Sequence, residues 1–350
     1  MEEFSVERRK VQQVGYSTLN VSLPSNWVKT VGLKRGDFLL LTEEHDGSLK
    51  LMPSALAETR LAMGRELTIN SDLCDEPGML ERVIIGNYIL GRELLQVSSS
   101  SERIRSEHVE EVRGIAKKLI GMGIVEESPN QIILQCSTDP SKLQIDTLMR
   151  QLSVIVSTMY GETMQALVDF ESDLANDAIR REDEVNMMYW LITRLLLSAQ
   201  LSRDNAEKIG LREPLQIPDN RMISKYLETI ADCAQNIAQR VLALKEYRKE
   251  IDTGMLNRLS LLGGLAQSIF LKAMDCISTG DIRVANGILE MRRTLDLEEE
   301  KLMRQLPDIP HLGAIVLGIT RIAESGAGIA VIALDRALER SNDFCVPVKH

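Results

Sequence analysis

The sequence predicts a multidomain α+β protein with a β-rich front, a small α/β unit in the middle and an all-helical rear. Short runs that alternate apolar and polar residues fill much of 7–53, and strands alternate with helices in 62–138. From Lys142 onward, apolar residues recur at helical spacing over long stretches. The chain has 350 residues, of which 44% are hydrophobic and 4% aromatic, and this composition favours two or three well-filled, helix-rich cores.

The front, residues 1–55, is predicted to be a small β unit. Leu19–Leu23 alternates as a half-buried strand does, and Ser25, after a proline, is expected to cap a short helix. The Asp46-Gly47 dipeptide predicts a hairpin turn. About 50 residues with so few large side chains cannot bury a sufficient core alone. We therefore expect a homodimer that forms through this part of the chain.

The run RKVQQVGYSTLNVSLPSNWVKTVGLKRGDFLLL, which begins at Arg9, resembles the AbrB/SpoVT type of swapped-hairpin DNA-binding domain. The shared features are a basic pair before the first strand, a glycine turn, a strand that ends at proline before a short helix, and the GLKRGD turn. The resemblance implies a β-barrel of hairpins interleaved from two chains, with basic residues on DNA. Tyr16 stands where bacterial members often carry arginine, and the longer GYSTLNVSLPSNW form resembles the archaeal branch. The candidate DNA-binding residues are Arg8, Arg9, Lys10, Lys29, Lys34 and Arg35.

Two interpretations of this basic cluster stay open. Contact with phosphates predicts binding that weakens strongly as salt rises. Alternatively, these are ordinary solvated charges, because nearby acidic residues nearly balance them. The net charge of −10 argues against non-specific nucleic-acid binding over the whole surface, so only a local patch can contact DNA.

The middle of the chain, residues 62–138, is predicted to be a compact α/β unit with the order βαβαββ. A connecting helical segment is expected at 54–65, Ser106 is a candidate helix cap, and Ser128-Pro129-Asn130 predicts a turn between the last two strands. The unit has no phosphate-cradling glycine motif. Its role is open between a spacer, a ligand-sensing module and a dimer contact.

The rear is predicted to form a pair of three-helix bundles related by an internal repeat. Repeat 1 covers 142–249 and repeat 2 covers 254–342. Each repeat has a long opening helix, a charged middle helix and a closing helix rich in Ile and Ala. The expected helices are 143–170, 172–202, 219–249, 254–278, 281–305 and 312–340.

The closing helix of repeat 1 carries a polar stripe beside its apolar seam. Glu228 and Asp232 are four residues apart, so they share one helix face. Two carboxylates one turn apart repel each other least in water, or where a cation or a basic group lies between them. The stripe is therefore either a solvent-exposed face at the edge of the bundle or an oxygen-rich metal site.

Two segments, LETIADCAQNIA at Leu227–Ala238 and EDEVNMMY at Glu182–Tyr189, resemble the E/DxxxD helices of the PhoU family of phosphate-uptake regulators. The resemblance implies a divalent or iron-type metal ion in repeat 1. The corresponding donor residues are Glu182, Asn186, Glu228 and Asp232. In repeat 2 the corresponding positions hold Arg292, Asp296, Thr320 and Glu324, so half of the acids are absent there.

A front of the AbrB type, an α/β middle and helices of the PhoU type together resemble archaeal PhoU-like regulators. This combination implies a cytoplasmic regulator of phosphate homeostasis, with the helices sensing phosphate status through a metal or a partner and the front acting on DNA. The alternative is an adaptor without DNA binding that docks on a phosphate ABC transporter subunit and inhibits uptake.

Enzymatic activity is not expected. The chain shows no Ser-His-Asp order, no P-loop and no HxxxH pair, and its five cysteines are scattered without a CxxC motif. A metal-dependent hydrolase is the weakest remaining alternative. The apolar stretch Leu312–Leu334 carries Arg321 and Glu324, so we expect it to be a buried helix that does not insert into a membrane. The start of the chain shows no signal-peptide pattern.

Overall fold

The structure is a computed structural model, and it divides into two compact units. It describes residues 7–43, 47–56, 65–339 and 342–345. The front unit is Met1–Glu66 and the main unit is Leu67–His350. The main unit contains both the predicted α/β middle and the predicted helical rear.

The described part of the front unit consists of two hairpins and one short helix. Its elements are β1 Gln12–Val14, β2 Thr18–Asn20, α1 Ser25–Val31, β3 Leu39–Glu43 and β4 Leu49–Pro53. β1 pairs antiparallel with β2, and β3 pairs antiparallel with β4, in two separate sheets. Among the described residues, therefore, one chain does not close the predicted swapped-hairpin β-barrel. The physical reason is that the two strands of each hairpin pair with each other, and no strand pairing links the two described hairpins into one sheet.

Local details of the front unit also differ from the sequence prediction. Ser25 is the first residue of α1, and the cap position before it is Pro24, which offers no side-chain hydrogen bond. The helix ends at Gly32, whose φ of 70° is the left-handed conformation that glycine adopts readily. The predicted turn residue Asp46 and most of the predicted helix 54–65 lie outside the described residues.

The front unit has almost no core of its own. Among its described residues only Pro53 is buried. The side chain of Phe38 is 82% exposed. The other large apolar side chains exposed in this unit are Val11, Val14, Tyr16, Leu19, Val21, Leu40, Leu41, Leu49 and Leu56. Burial within one copy therefore contributes little to the stability of this unit.

The middle of the chain folds as a four-stranded sheet with two helices packed against it. Its elements are β5 Glu66–Asn70, α2 Met79–Ile89, β6 Leu94–Ser98, α3 Ser106–Lys118, β7 Met122–Ser128 and β8 Gln131–Cys136. The strand order is β5-β6-β8-β7. Alternate strand residues such as Leu95 and Leu134 are buried with Ile84 and Val112 of the helices in one cluster. This confirms the predicted βαβαββ order, although Ser106 begins α3 and does not cap it.

Six long helices make up most of the described rear of the main unit. Their bounds are α4 Ile145–Asp169, α5 Ser172–Leu201, α7 Gln216–Leu244, α8 Thr253–Thr279, α9 Ile282–Met303 and α10 Leu312–Leu338. The six helices predicted from the sequence are thus confirmed. A short helix, α6 Arg203–Lys208, was not predicted. α7 starts before Pro218 because proline is tolerated in the first turn of a helix, where no intrahelical N–H bond is lost.

The helices of the two predicted repeats share one continuous core, so they are not two separate bundles. The hydroxyl of Tyr160 on α4 donates a hydrogen bond of 3.0 Å to the main-chain oxygen of Gly263 on α8. Gly326 on α10 allows a close approach to α8, because a Cβ atom there would lie 2.9 Å from the Cα of Phe270. These contacts join repeat 1 to repeat 2.

Two of these helices, α8 and α10, are long and apolar enough to cross a membrane by length and composition alone. Each buries one face in the shared core of the main unit. Helices of this length and apolar content are also typical of the cores of helical bundles.

The α/β middle is fixed to α5 of the bundle by polar contacts. The side chain of Arg194, only 9% exposed, donates from Nη1 to the main-chain oxygens of Tyr88 and Arg92, the latter at 2.9 Å. Its guanidinium also lies 4.8 Å from the ring centroid of Tyr88. About three turns earlier on the same helix, Nζ of Lys118 on α3 lies 2.6 Å from Oδ1 of Asp183 on α5. One helix therefore bears both the α/β middle and two of the four predicted metal ligands, Glu182 and Asn186.

Candidate functional site

The predicted metal ligands lie on α5 and α7, which pack against each other. On α5, Glu182, Asn186 and Tyr189 follow one another at helical spacing, and Nδ2 of Asn186 donates to Oε1 of Glu182. On α7, Glu228 and Asp232 are one turn apart. The sequence correctly placed both pairs on long helices.

The electrostatics of Asp232 show that these carboxylates share one neighbourhood. Burial and the nearby carboxylates of Glu228 and Glu182 raise the pKa of Asp232 from 3.8 to about 6, against the opposing effect of Lys225 and Arg321. A carboxylate in a partly dry site near like charges holds its proton more tightly. Acids of α5 and α7 therefore lie within electrostatic reach of one another.

A lysine that was absent from the sequence prediction contacts this acidic group. Nζ of Lys225, one turn before Glu228 on α7, donates a hydrogen bond to Oε2 of Glu228. The side chain of Glu228 is 13% exposed, whereas that of Lys225 is 50% exposed. Glu228 therefore lies closer to the protein interior than its lysine partner does.

An aromatic ring of α5 lies beside the same lysine. The Nζ atom of Lys225 is 5.7 Å from the ring centroid of Tyr189, and the guanidinium of Arg221 is 5.1 Å from it. Nη1 of Arg221 also donates to the hydroxyl of Tyr189 at 2.8 Å. Cations at these distances are attracted to the negative face of the ring.

The α/β middle contributes a further cation to this region. The pKa of Lys118 is raised through its hydrogen bond to Asp183, and the carboxylate of Glu182 adds to that effect. A residue of α3 therefore lies within electrostatic reach of a predicted metal ligand on α5.

The predicted donors do not form a coordination shell in this arrangement. In the part of the chain that the structure describes, no group of three or more His, Cys, Asp or Glu residues is placed to hold a metal ion. Asn186 turns its NH₂ group toward Glu182, and Lys225 takes an oxygen of Glu228. An oxygen-rich site for Mg²⁺, Mn²⁺ or Fe needs those oxygens to face the ion. A metal ion in repeat 1 stays a prediction.

At the corresponding middle-helix positions of repeat 2, the two side chains form an ion pair with each other. Arg292 on α9 contacts Oδ1 of Asp296 from Nη2 at 2.7 Å and from Nε at 3.1 Å. Its Nη1 also donates to the main-chain oxygen of Thr320 on α10 at 3.4 Å. A guanidinium thus lies beside Asp296, the one acid that remains of the corresponding pair on this middle helix.

The six candidate DNA-binding residues are all exposed in the front unit. The residues are Arg8, Arg9, Lys10, Lys29, Lys34 and Arg35. Arg9 contacts the carboxylate of Glu7 and donates from Nη1 to the hydroxyl of Ser22 at 3.1 Å. DNA binding by this group stays a prediction.

Sequence reasoning missed the cations around the acidic group. The spacing of Lys225 three residues before Glu228 is a signal that was available, since residues at i and i+3 are neighbours on a helix. No spacing links Lys118 or Arg321 to the site, because they come from α3 and α10. Only the packing of distant helices brings those charges close.

The fold and the site define an α+β protein whose helical rear is a repeat-built bundle with a polar site on two neighbouring helices. Residues 149–241, which contain α5 and most of α4 and α7, match the PhoU domain. The chain therefore contains a PhoU-like domain. A comparison with curated proteins gave no match.

Two solved structures are similar to the chain at low identity. The crystal structure of PhoU from Pseudomonas aeruginosa is 20% identical, with a TM-score of 0.41, over 55% of this chain and 92% of that one. The phosphate transport system regulatory protein PhoU from Streptococcus pneumoniae is 18% identical, with a TM-score of 0.47, over 57% and 96%.

Proposed function

We propose that this protein is a cytoplasmic, non-enzymatic regulator of phosphate uptake, with the helical rear of its main unit as the regulatory module. The observation that carries this proposal is the PhoU domain match over residues 149–241. The matched segment contains both helices of the acidic site, α5 and nearly all of α7. The regulatory state is read from that site through a divalent or iron-type metal ion or through a partner protein.

The front unit is proposed to act as a DNA-binding arm that works as a pair. Its exposed apolar side chains, such as Phe38 and Leu41, have no partner core within the described part of one copy, and a second copy would cover them. Its six exposed basic residues supply the charge that phosphates require. If all six contact phosphates, the logarithm of the affinity falls with the logarithm of the salt concentration with a slope of about −5.

A second function is compatible with the PhoU-like domain. In this alternative the protein binds a subunit of a phosphate ABC transporter and inhibits uptake without contacting DNA. The acidity of the whole chain, with a net charge of −10, favours a protein partner over a general nucleic-acid partner.

The test compares cells that lack the protein with cells that carry the wild type. Loss of the protein is expected to change phosphate uptake in phosphate-rich medium, and unchanged uptake in both rich and starved cells contradicts the proposed function. Chromatin pull-down with sequencing in the same two conditions separates the alternatives. Enrichment of DNA that the double variant Arg9→Ala/Lys10→Ala loses supports the DNA-binding arm, whereas co-purification of a transporter subunit without DNA supports the adaptor. The matched control is Lys301→Ala, a lysine of the main unit.

A further inference from the structure

We propose that the groove between α3 and the first half of β7 binds an extended segment of a partner protein that carries apolar and acidic residues. The segment adds to the sheet of the α/β middle as a further strand beside β7. This inference goes beyond the proposed function, which assigns no role to the α/β middle. Its test involves neither phosphate nor DNA, so the two proposals can fail separately.

The first observation is that β7 is an outer strand of its sheet. The strand order β5-β6-β8-β7 gives β7 one partner, β8, among the described strands. The main-chain groups along its other side are therefore available to a further strand, and natural sheets protect such edges with charges and bulges. The second half of β7 has both, because its register to β8 shifts between Ile124 and Glu126, and Glu127 pairs with Arg113 at 2.6 Å.

The first half of β7 has no such protection. It carries no charged residue, and the side chains of Ile124 and Val125 are 36% and 58% exposed. Gly123 lies within the strand, with open space around the position of a Cβ atom. Glycine inside a strand often marks a place where another backbone approaches closely. An uncharged, apolar strand edge of this kind favours pairing with another chain.

A groove of about 440 Å³ lies beside this half of the strand. α3 contributes Ala116 and Lys117 to its lining, and β7 contributes Gly123 and Ile124. Because Ile124 is opposite the buried Leu134, its side chain is on the face of the sheet that the helices cover. An added strand would place every second side chain on this same face, where an apolar side chain fits the groove.

The charge of the groove favours an acidic residue in the partner. Arg113 already pairs with Glu110 and Glu127. Lys117 is exposed and forms no ion pair with any residue that the structure describes. It is therefore available to a carboxylate on the same face of the added strand, two residues from the apolar side chain. An exposed ion pair adds little affinity, so this charge acts on selectivity more than on strength.

The test selects random dodecapeptides displayed on phage for binding to the full-length protein. The selected sequences are expected to alternate apolar and polar residues, with Asp or Glu two positions from an apolar residue. A synthetic peptide of this consensus is then titrated by fluorescence anisotropy. Ile124→Lys is expected to weaken its binding at least tenfold despite the added positive charge, because an inward-pointing lysine blocks strand addition at a sheet edge. A purely electrostatic contact would become tighter in this variant.

A charge reversal tests the role of Lys117. Selection on Lys117→Glu is expected to lose the acidic residue and to keep the apolar alternation. The matched control is Lys249→Glu, the same change at an exposed lysine between α7 and α8, and it is expected to select the wild-type consensus. Circular dichroism of each variant checks that the protein remains folded.

Methylation of single peptide amides distinguishes an added strand from a bound helix. In a strand every second N–H group points to the same neighbour, so methyl groups at alternate positions are expected to abolish binding and those between them to be tolerated. Hydrogen exchange over residues 122–128 is expected to slow when the peptide binds. The proposal is overturned if no peptide is enriched, if Ile124→Lys binds the peptide as tightly as the wild type or more tightly, if Lys117→Glu selects the same acidic consensus, or if methylation shows no alternation.

Discussion

Replacing Arg194 with methionine should loosen the α/β middle from the helical bundle. The guanidinium donates to two main-chain oxygens, those of Tyr88 and Arg92, and it lies over the Tyr88 ring. A hydrogen bond from a charged donor contributes about 1.5–3 kcal/mol, and a shielded cation–π contact about 1–2 kcal/mol. Methionine keeps the apolar stem but leaves both oxygens without this donor. Because contributions of neighbouring contacts are not additive, we expect a loss of about 3 kcal/mol in the stability of the junction.

Hydrogen exchange measured by mass spectrometry is the appropriate assay. A chain with several units does not unfold in one step, so a local readout is needed in place of a single unfolding free energy. About 3 kcal/mol corresponds to roughly a hundredfold faster exchange in peptides covering 79–92, because 1.36 kcal/mol is a factor of ten. Peptides from α9 should be unaffected. Arg194→Lys should give an intermediate effect, since lysine keeps the charge without the planar fork.

The matched control is Arg293→Met, because Arg293 is an exposed arginine of α9 whose ion-pair partner among the described residues is Glu290 on its own helix. Its exchange pattern over 79–92 should equal that of the wild type. A rise of less than about fivefold in Arg194→Met would refute the reasoning, because it would correspond to under roughly 1 kcal/mol. In that case Arg194 would not fix the α/β middle to α5.

Three further predictions follow from the packing and charge of the main unit. Asp232→Asn in metal-free buffer should stabilise the protein by about 1 kcal/mol at pH 7–8 and should have no effect below pH 4. In the folded protein the pKa of Asp232 is raised from 3.8 to about 6, so the ionised carboxylate destabilises the fold above that pH. The full effect would be roughly 3 kcal/mol, and partial exposure of the side chain reduces it. A wild-type thermal midpoint that does not rise relative to this variant between pH 8 and pH 4 would contradict the prediction. Gly326→Ala should destabilise the protein by about 1–3 kcal/mol, because the added Cβ would meet the backbone at Phe270. Gly264→Ala has open space around it and should be neutral or stabilising. Equal thermal midpoints for the two variants would argue against the close approach of α10 to α8. Tyr160→Phe should cost about 1–2 kcal/mol in urea unfolding because a buried carbonyl on α8 loses its donor, and an unchanged midpoint would show that this bond adds no stability.

The long helices were predictable because their periodicity depends only on local sequence. Apolar residues on α7, such as Ile223, Leu227 and Ile230, recur every three to four positions and are all buried. Short elements were less predictable. The six-residue helix α6 carries no apolar face long enough to detect, and Ser25 and Ser106 begin helices that they were expected to cap.

The acidic pairs of the site were also predictable, but their surroundings were not. Glu228 and Asp232 share a face because they are four residues apart on one helix. The sequence gives no distance between Glu182 on α5 and Asp232 on α7, and it could not place Arg321 of α10 near them. Those relations depend on how whole helices pack, which residue spacing within one helix cannot specify.

The sequence alone determined which segments are helices, which residues form the apolar seam, and which acids face one way, because each of these properties is periodic along one element. Only the tertiary structure decided that both repeats share one core, that α5 bears the α/β middle as well as Glu182 and Asn186, and that Arg292 reaches Thr320 on the next helix. Pairing of charges depends on side-chain geometry over a few ångströms. For Arg194 that geometry joins residues about a hundred positions apart in the chain, and for Arg292 it depends on how α9 faces α10.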